Sequence, residues 1–285
     1  MAQEKSAGTQ QKDKATKTLE YFPDVFADIS NVLLFKDEVI REDQLRDGPT
    51  ESIYKADDGN KNRSQYRDVA KYVENCGIQM LFVGVENQVK VDSDMAIRMM
   101  GYDYAAYRSQ VDRGNHRFPV ISCVLYFGQA DWNGAKTLAE IVNLPEAFAD
   151  VFCDYRINLI DVKCIPRETR ERLTSDFKLI ADYFAEPKTF PETHGDVKMD
   201  HPAEVMEFFR VFTGDERFAE MRAFVAEAEK EGRDVHVCEM VDMLEKKGRV
   251  KLLIELVKAG DLTIEKAAAK LNMPEEEFRR MMEKD

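Results

Sequence analysis

Two apolar runs constrain the fold of this 285-residue chain more than any other feature. The first, Met80-Leu81-Phe82-Val83, continues through Gly84 and Val85 and stops at Glu86-Asn87-Gln88. The second is FPVISCVLYF, residues 118–127. Unbroken apolar runs of this kind read as strands buried on both faces. The segment between them, Ala96 to Val111, has helical spacing, with Met99, Met100, Ala106 and Tyr107 among its apolar positions. Strands alternating with helices predict an α/β region. Tyr66–Glu74 is read as a strand leading through a turn at Gly77 into Ile78–Gln88, and Ile157–Ile165 as a fourth strand. Arg167–Phe184 is read as a helix.

The flanks read differently. Residues 1–12 are polar and are expected to be disordered. From Asp13 to Phe35 the apolar positions Leu19, Phe22, Phe26, Ile29 and Leu33 recur at helical steps, and Pro23 divides the segment into two short helices. Residues 36–62 are turn-rich, with Asp47-Gly48-Pro49 and Asp57-Asp58-Gly59-Asn60 as loop signals. Residues 186–202, with three prolines, read as a linker, and 203–285 as helices over 203–230, 234–259 and 262–284. The last of these breaks at Asn272-Met273-Pro274, the outline of a helix-turn-helix. Acidic residues 275–277 suit it poorly to phosphate, so a helical hairpin or dimer contact is the expectation. Amphipathic helices here fit a homodimer and equally fit packing back on the core.

Composition excludes several classes. No run approaches the ~18 apolar residues of a membrane span, and MAQEKSAGTQQKDK lacks the apolar core of a signal peptide. The five cysteines are scattered, without a CxxC pair, which fits reduced thiols in a cytoplasm. The four histidines share no zinc-ligand spacing. A net charge of −13 argues against a basic nucleic-acid coat, though not against a local basic cleft.

The chemistry-bearing residues sit around the first apolar run. Asp68 precedes Glu86 by 18 residues. A lone carboxylate followed by a strand carrying a second one can hold magnesium, which takes oxygen ligands and needs only one or two carboxylates. Strand alternation places Glu86 and Gln88 on one face. Tyr102, Tyr104 and Tyr107 read as packing residues, and Asp161, inside Leu159-Ile160-Asp161-Val162, as a capping or structural hydrogen-bonding group.

Several segments then carry a resemblance. DKATKTLEYFPDVFADISNVLLF resembles the opening of the Rpn-like recombination-promoting nucleases, a transposase-like family of the PD-(D/E)XK superfamily, with Asp13, Lys17 and Phe26-Ala27-Asp28 on its motif positions. YRDV is similar to the segment with the family's first metal-binding Asp, here Asp68. VGVENQ resembles its Glu-x-Gln strand, and IRMMGYDYAAYRSQ the helix that follows, with Arg98 and Tyr102. RFPVISCVLYFG and LIDV resemble later core strands, so the likeness spans roughly residues 13–185.

The resemblance implies a nuclease-like core with a mixed sheet flanked by helices over 13–185, followed by an all-helical extension. It implies a magnesium- or manganese-dependent DNA endonuclease linked to recombination or mobile elements. Asp68, Glu86 and the Asn87 main-chain oxygen would be ligands, Gln88 a positioning group, Asp13 and Lys17 accessory residues, and Arg98 a DNA-phosphate contact. Gln88 stands where the superfamily has lysine, and it brings no positive charge. The alternative is a catalytically weak or inactive relative acting as a nucleic-acid or protein interaction module.

Overall fold

The computed structural model describes residues 19–55, 62–75, 78–112, 114, 116–187, 190, 197–213 and 217–284. The chain divides into two compact units, Met1–Phe190 and Pro191–Asp285. Among the described residues no helix is long and apolar enough to cross a membrane.

The first unit opens with α1 (Pro23–Asp28), which carries proline at its first turn, where no amide hydrogen is needed. It runs on as a π-helical segment, Ile29–Phe35, ended by Lys36 in the left-handed region at φ 62°. Strand β1 (Leu45–Asp47) follows, then a hairpin of β2 (Glu51–Lys55) and β3 (Asn62–Tyr66). β1 and β2 lie where the sequence reads as loop, and β3 begins at the end of that segment. Each is only three to five residues long, too short to show a period between its turn signals. β4 (Val69–Asn75) and β5 (Ile78–Gln88) are the long antiparallel pair. The expected strand over 66–74 is therefore divided, with Arg67 and Asp68 at the break between β3 and β4.

Helix α2 (Met95–Asp112) crosses from β5 to β6 (Val120–Tyr126). After α3 (Leu138–Ile141) comes β7 (Asn158–Asp161). The five-stranded sheet has the order β1-β4-β5-β6-β7, antiparallel through β5 and parallel from β5 to β7. β5 is thus central. Phe82, Val83 and Val85 are almost fully buried, as a strand covered on both faces requires. Met95, Ala96, Met99 and Tyr102 of α2 pack with Val124 on one face. On the other, Lys71 of β4 lies over the Phe26 ring of α1.

Beyond β7, the expected helix over 167–184 is broken into α4 (Arg167–Arg170) and α5 (Phe177–Ala185). No Gly or Pro marks the break. Asp28 makes it: its buried carboxylate accepts from the Thr174 amide (3.0 Å), the Ser175 amide (2.8 Å) and the Ser175 hydroxyl (2.6 Å). Asp28→Ala leaves these donors without their charged acceptor. It is expected to cost about 2–3 kcal/mol, read as a lower midpoint in urea unfolding.

The second unit, taken by itself, is helical, with one two-residue ladder of β8 (Lys198–Met199) and β9 (Val235–His236). α6 (Pro202–Thr213) and α7 (Arg217–Glu231) occupy the segment read as one helix. α8 (Val237–Lys258) is followed by α9 (Ile264–Lys270) and α10 (Glu275–Lys284). The Thr263 hydroxyl accepts from the Lys266 amide and caps α9. Asn272, at φ 52°, lies in the turn into α10, where the break is expected. Leu253, Ile254, Ala267, Ala268 and Phe278 form the apolar centre of this three-helix group.

Candidate active site

β5 ends where its sequence changes from apolar to polar. Alternation puts Phe82, Gly84, Glu86 and Gln88 on the face toward α2, and Asn87 on the other. Glu86 is 1% exposed, so its carboxylate depends on partners. Arg98, one turn into α2, ion-pairs with Glu86 Oε1, and Gln88 Nε2 donates to the same oxygen at 3.2 Å. Arg98 is steadied by the Tyr102 hydroxyl, which accepts from its Nε at 3.1 Å, and by Asp92 at 3.5 Å. Burial works against the Arg98 cation, but Glu86, Tyr102 and Asp92 outweigh it and hold its pKa above the ordinary arginine value.

Asp68 arrives from the other side. The β4–β5 register pairs Val69 with Val85, so Asp68 stands one step past the ladder, level with Glu86. Its Oδ2 accepts from the Asn87 main-chain amide at 2.7 Å. The Tyr102 hydroxyl has a raised pKa, first through burial and then through the charges of Glu86 and Asp68. One phenol thus senses both carboxylates.

A third carboxylate stands beside Asn87. Glu20, 2% exposed, accepts from Asn87 Nδ2 at 2.7 Å. Sequence reasoning missed it, because nothing local marks a glutamate between Leu19 and Tyr21 as buried. The partner is 67 residues away. Asp13 and Lys17 lie outside the described residues.

Arg67 locks the neighbouring residue in place. Its guanidinium lies 5.2 Å from the Phe82 ring centroid and 5.1 Å from that of Tyr102, and its Nη2 donates to Asp103 at 3.0 Å. Gly84 makes the room: a Cβ there would fall 2.1 Å from Arg67 Nη1. With Arg67 anchored in the core, the Asp68 side chain is left to reach the end of β5.

The donor chemistry fits a hard divalent cation. Asp68, Glu86 and the Asn87 main chain offer oxygen atoms, whereas the Asn87 side chain lies on the opposite face of β5, beside Glu20. Those residues contain no group of three or more His, Cys, Asp or Glu set to hold an ion. A site here therefore rests on two carboxylates plus neutral oxygens, and Glu86 must be shared with Arg98.

Gln88, Tyr126 and Asp161 occupy the same level on β5, β6 and β7, at the carboxyl ends of the parallel strands. Ligands of open α/β sheets bind at these ends. Burial holds the Asp161 carboxyl above the ordinary 3.8, with Lys163 opposing. An acid raised in the fold prefers its proton there. Stability linked to Asp161 is therefore full at low pH and falls as pH rises upward from 3.8. Asp161→Asn is expected to remove that slope and to raise the melting temperature at neutral pH, checked by thermal unfolding across the acid range.

Residues 63–181, which carry Asp68, β5, α2, β6 and β7, match the model of the family described as "Putative transposase, YhgA-like". This stretch of the chain is similar to the YhgA-like transposase family. No curated protein and no solved structure matches the chain. The YhgA-like match covers every candidate site residue except Glu20, Asp13 and Lys17. It ends before the second unit.

Proposed function

We propose that the first unit is a PD-(D/E)XK-like, divalent-metal-dependent DNA endonuclease, serving recombination or a mobile element. The observation that supports this reading is that Asp68 and buried Glu86 stand level at the end of β5, beside Arg98, inside a segment that matches a transposase-like family. Asp68, Glu86 and Asn87 would hold magnesium or manganese. When bound, such an ion lowers the pKa of a coordinated water and offsets charge on the scissile phosphate.

The chain's own groups then have defined tasks. Gln88 orients the Glu86 carboxylate through its Nε2. With a cation held by Glu86, the Gln88 amide would donate instead to a water or a phosphate oxygen. Being neutral, it supplies no charge. Arg98 is the cation of the site, and its planar fork suits phosphate as well as carboxylate. DNA contact by Arg98 therefore exchanges a carboxylate partner for a phosphate. Four cysteines are free thiols among the described residues, which supports a reducing, cytoplasmic setting.

A second reading, an inactive nuclease-fold interaction module, is favoured by one observation: Glu86 already has its countercharge in Arg98. Nicking of supercoiled plasmid separates the two. The nuclease reading expects nicking with magnesium or manganese that disappears in Asp68→Ala and in Glu86→Ala. Nicking that survives both changes, or none with either ion, supports the second reading.

A further inference from the structure

A cleft of about 260 Å³ opens in the first unit where β4, β5 and α2 meet the start of β2. Aromatic rings line it. Tyr72 of β4 and Phe82 of β5 stand opposite each other in the ladder, with ring centroids 4.9 Å apart, and Tyr102 of α2 joins them. α2 also contributes Ala105 and Ala106, and side chains this small leave open the space that Leu or Met would fill.

The cleft also has a polar wall, Arg67. Its Nη2 donates to Asp103, but its Nη1, on a side chain 3% exposed, has no hydrogen-bond partner among the described residues. A buried donor left without an acceptor is costly, so this nitrogen calls for one. A water takes about 30 Å³, and the cleft is several times larger than the one water that Nη1 would need. It falls short of the ~300 Å³ at which pockets for drug-sized ligands begin, which suits a single ring system. Charge narrows the class further. Arg67 is already neutralised by Asp103, and Glu51 adds a negative charge at the cleft, so an anion is disfavoured. What fits is a neutral flat ring with an acceptor on its edge. Nucleobases are such rings: arginine donates to their edge acceptors, and aromatic side chains stack on their faces whatever the base. The cleft also adjoins the end of β5. Arg67 is followed directly by Asp68, and the Tyr102 hydroxyl accepts from Arg98.

The geometry points to this cleft as the seat of one unstacked nucleobase, its acceptor edge on Arg67 Nη1 and its ring against Tyr72 and Phe82. A free nucleoside and an unpaired base of a strand offer the same chemistry. Seating the base needs no metal. Its place beside the scissile phosphate rests on the nuclease reading, and there the base enters only after leaving its stack.

The anisotropy of a labelled single-stranded oligonucleotide, measured without divalent ions so that no strand is cut, tests the cleft. The comparison is the same strand with abasic sites, which keeps every phosphate. The wild type is expected to bind the base-bearing strand at least about fivefold more tightly. Ala105→Leu fills the cleft with a good helix former, and Tyr72→Leu removes an aromatic face. Each, with its circular dichroism intact, is expected to abolish the preference and to leave abasic binding unchanged. Displacement of the strand by guanosine supports the cleft with a free nucleoside as ligand, and displacement by base-bearing strands alone supports it with DNA as ligand. Equal binding of the two strands by the wild type overturns the proposal, and so does a preference that both substitutions leave intact. Should one variant fail to fold, the other decides. A base preference in a protein that nicks no plasmid keeps the cleft and sinks the nuclease reading, whereas nicking without base preference does the reverse.

Discussion

Asp103→Ala is expected to destabilise the protein by about 3–5 kcal/mol, the cost of leaving one member of a buried ion pair without its partner. Asp103 accepts from three side chains: Arg67 Nη2 at 3.0 Å, the Ser122 hydroxyl at 2.5 Å and the Tyr155 hydroxyl at 2.6 Å. Arg67 is 3% exposed and cannot follow its charge to water. Burial already lowers its pKa, and Asp103 is the chief opposing influence. Asp103→Asn keeps an acceptor but not the charge, so it is expected to fall between wild type and Asp103→Ala. Urea unfolding with unchanged slope measures both. A loss below about 1 kcal/mol for Asp103→Ala would mean that Arg67 finds solvent. The consequence reaches the site, because Arg67 is the residue beside Asp68. Freeing Arg67 frees the peptide that aims Asp68 at β5.

Glu86→Gln carries the second large effect, and it separates chemistry from folding. Gln has the shape of Glu and retains an oxygen for Arg98 and Gln88. Arg98, 33% exposed and also near Asp92, keeps water and a second carboxylate. Stability is therefore expected to change by no more than about 1–2 kcal/mol. Nicking is expected to fall at least about 100-fold, a barrier increase of roughly 2.7 kcal/mol, because a neutral amide is a poor ligand for a hard cation. Comparable losses in stability and nicking rate would instead make Glu86 a structural partner of Arg98 and nothing more.

How far the site was legible in sequence depended on whether its signals were local. The bounds of β5, Ile78–Gln88, follow from the apolar run that starts at Met80, set between the turn at Gly77 and the polar Glu86-Asn87-Gln88. α2 begins one residue before, and ends one residue after, the segment its periodicity predicts. The facing of Glu86 and Gln88 follows from alternation alone. Glu20 was invisible because Asn87 is its partner through the fold. The break between α4 and α5 was invisible for the same reason: Asp28, 146 residues before Thr174, holds the intervening turn. β1, β2 and β3 were hidden by brevity. Tyr104, read as a packing residue and 68% exposed, shows the opposite failure, whereas the Tyr107 hydroxyl accepts from the Val120 amide of β6. Helical periodicity says that a residue is apolar, not that its own chain covers it.

The claim that Asp68 and Glu86 share a divalent cation is tested most directly by titrating manganese into the protein and reading bound ion by electron paramagnetic resonance. One site is expected in the wild type and in Asp43→Asn, a control at a 73% exposed carboxylate. Asp68→Asn and Glu86→Gln are each expected to weaken it by more than the tenfold typical of an outer-shell change. A wild type that binds no ion, or one whose affinity neither substitution alters, contradicts the account.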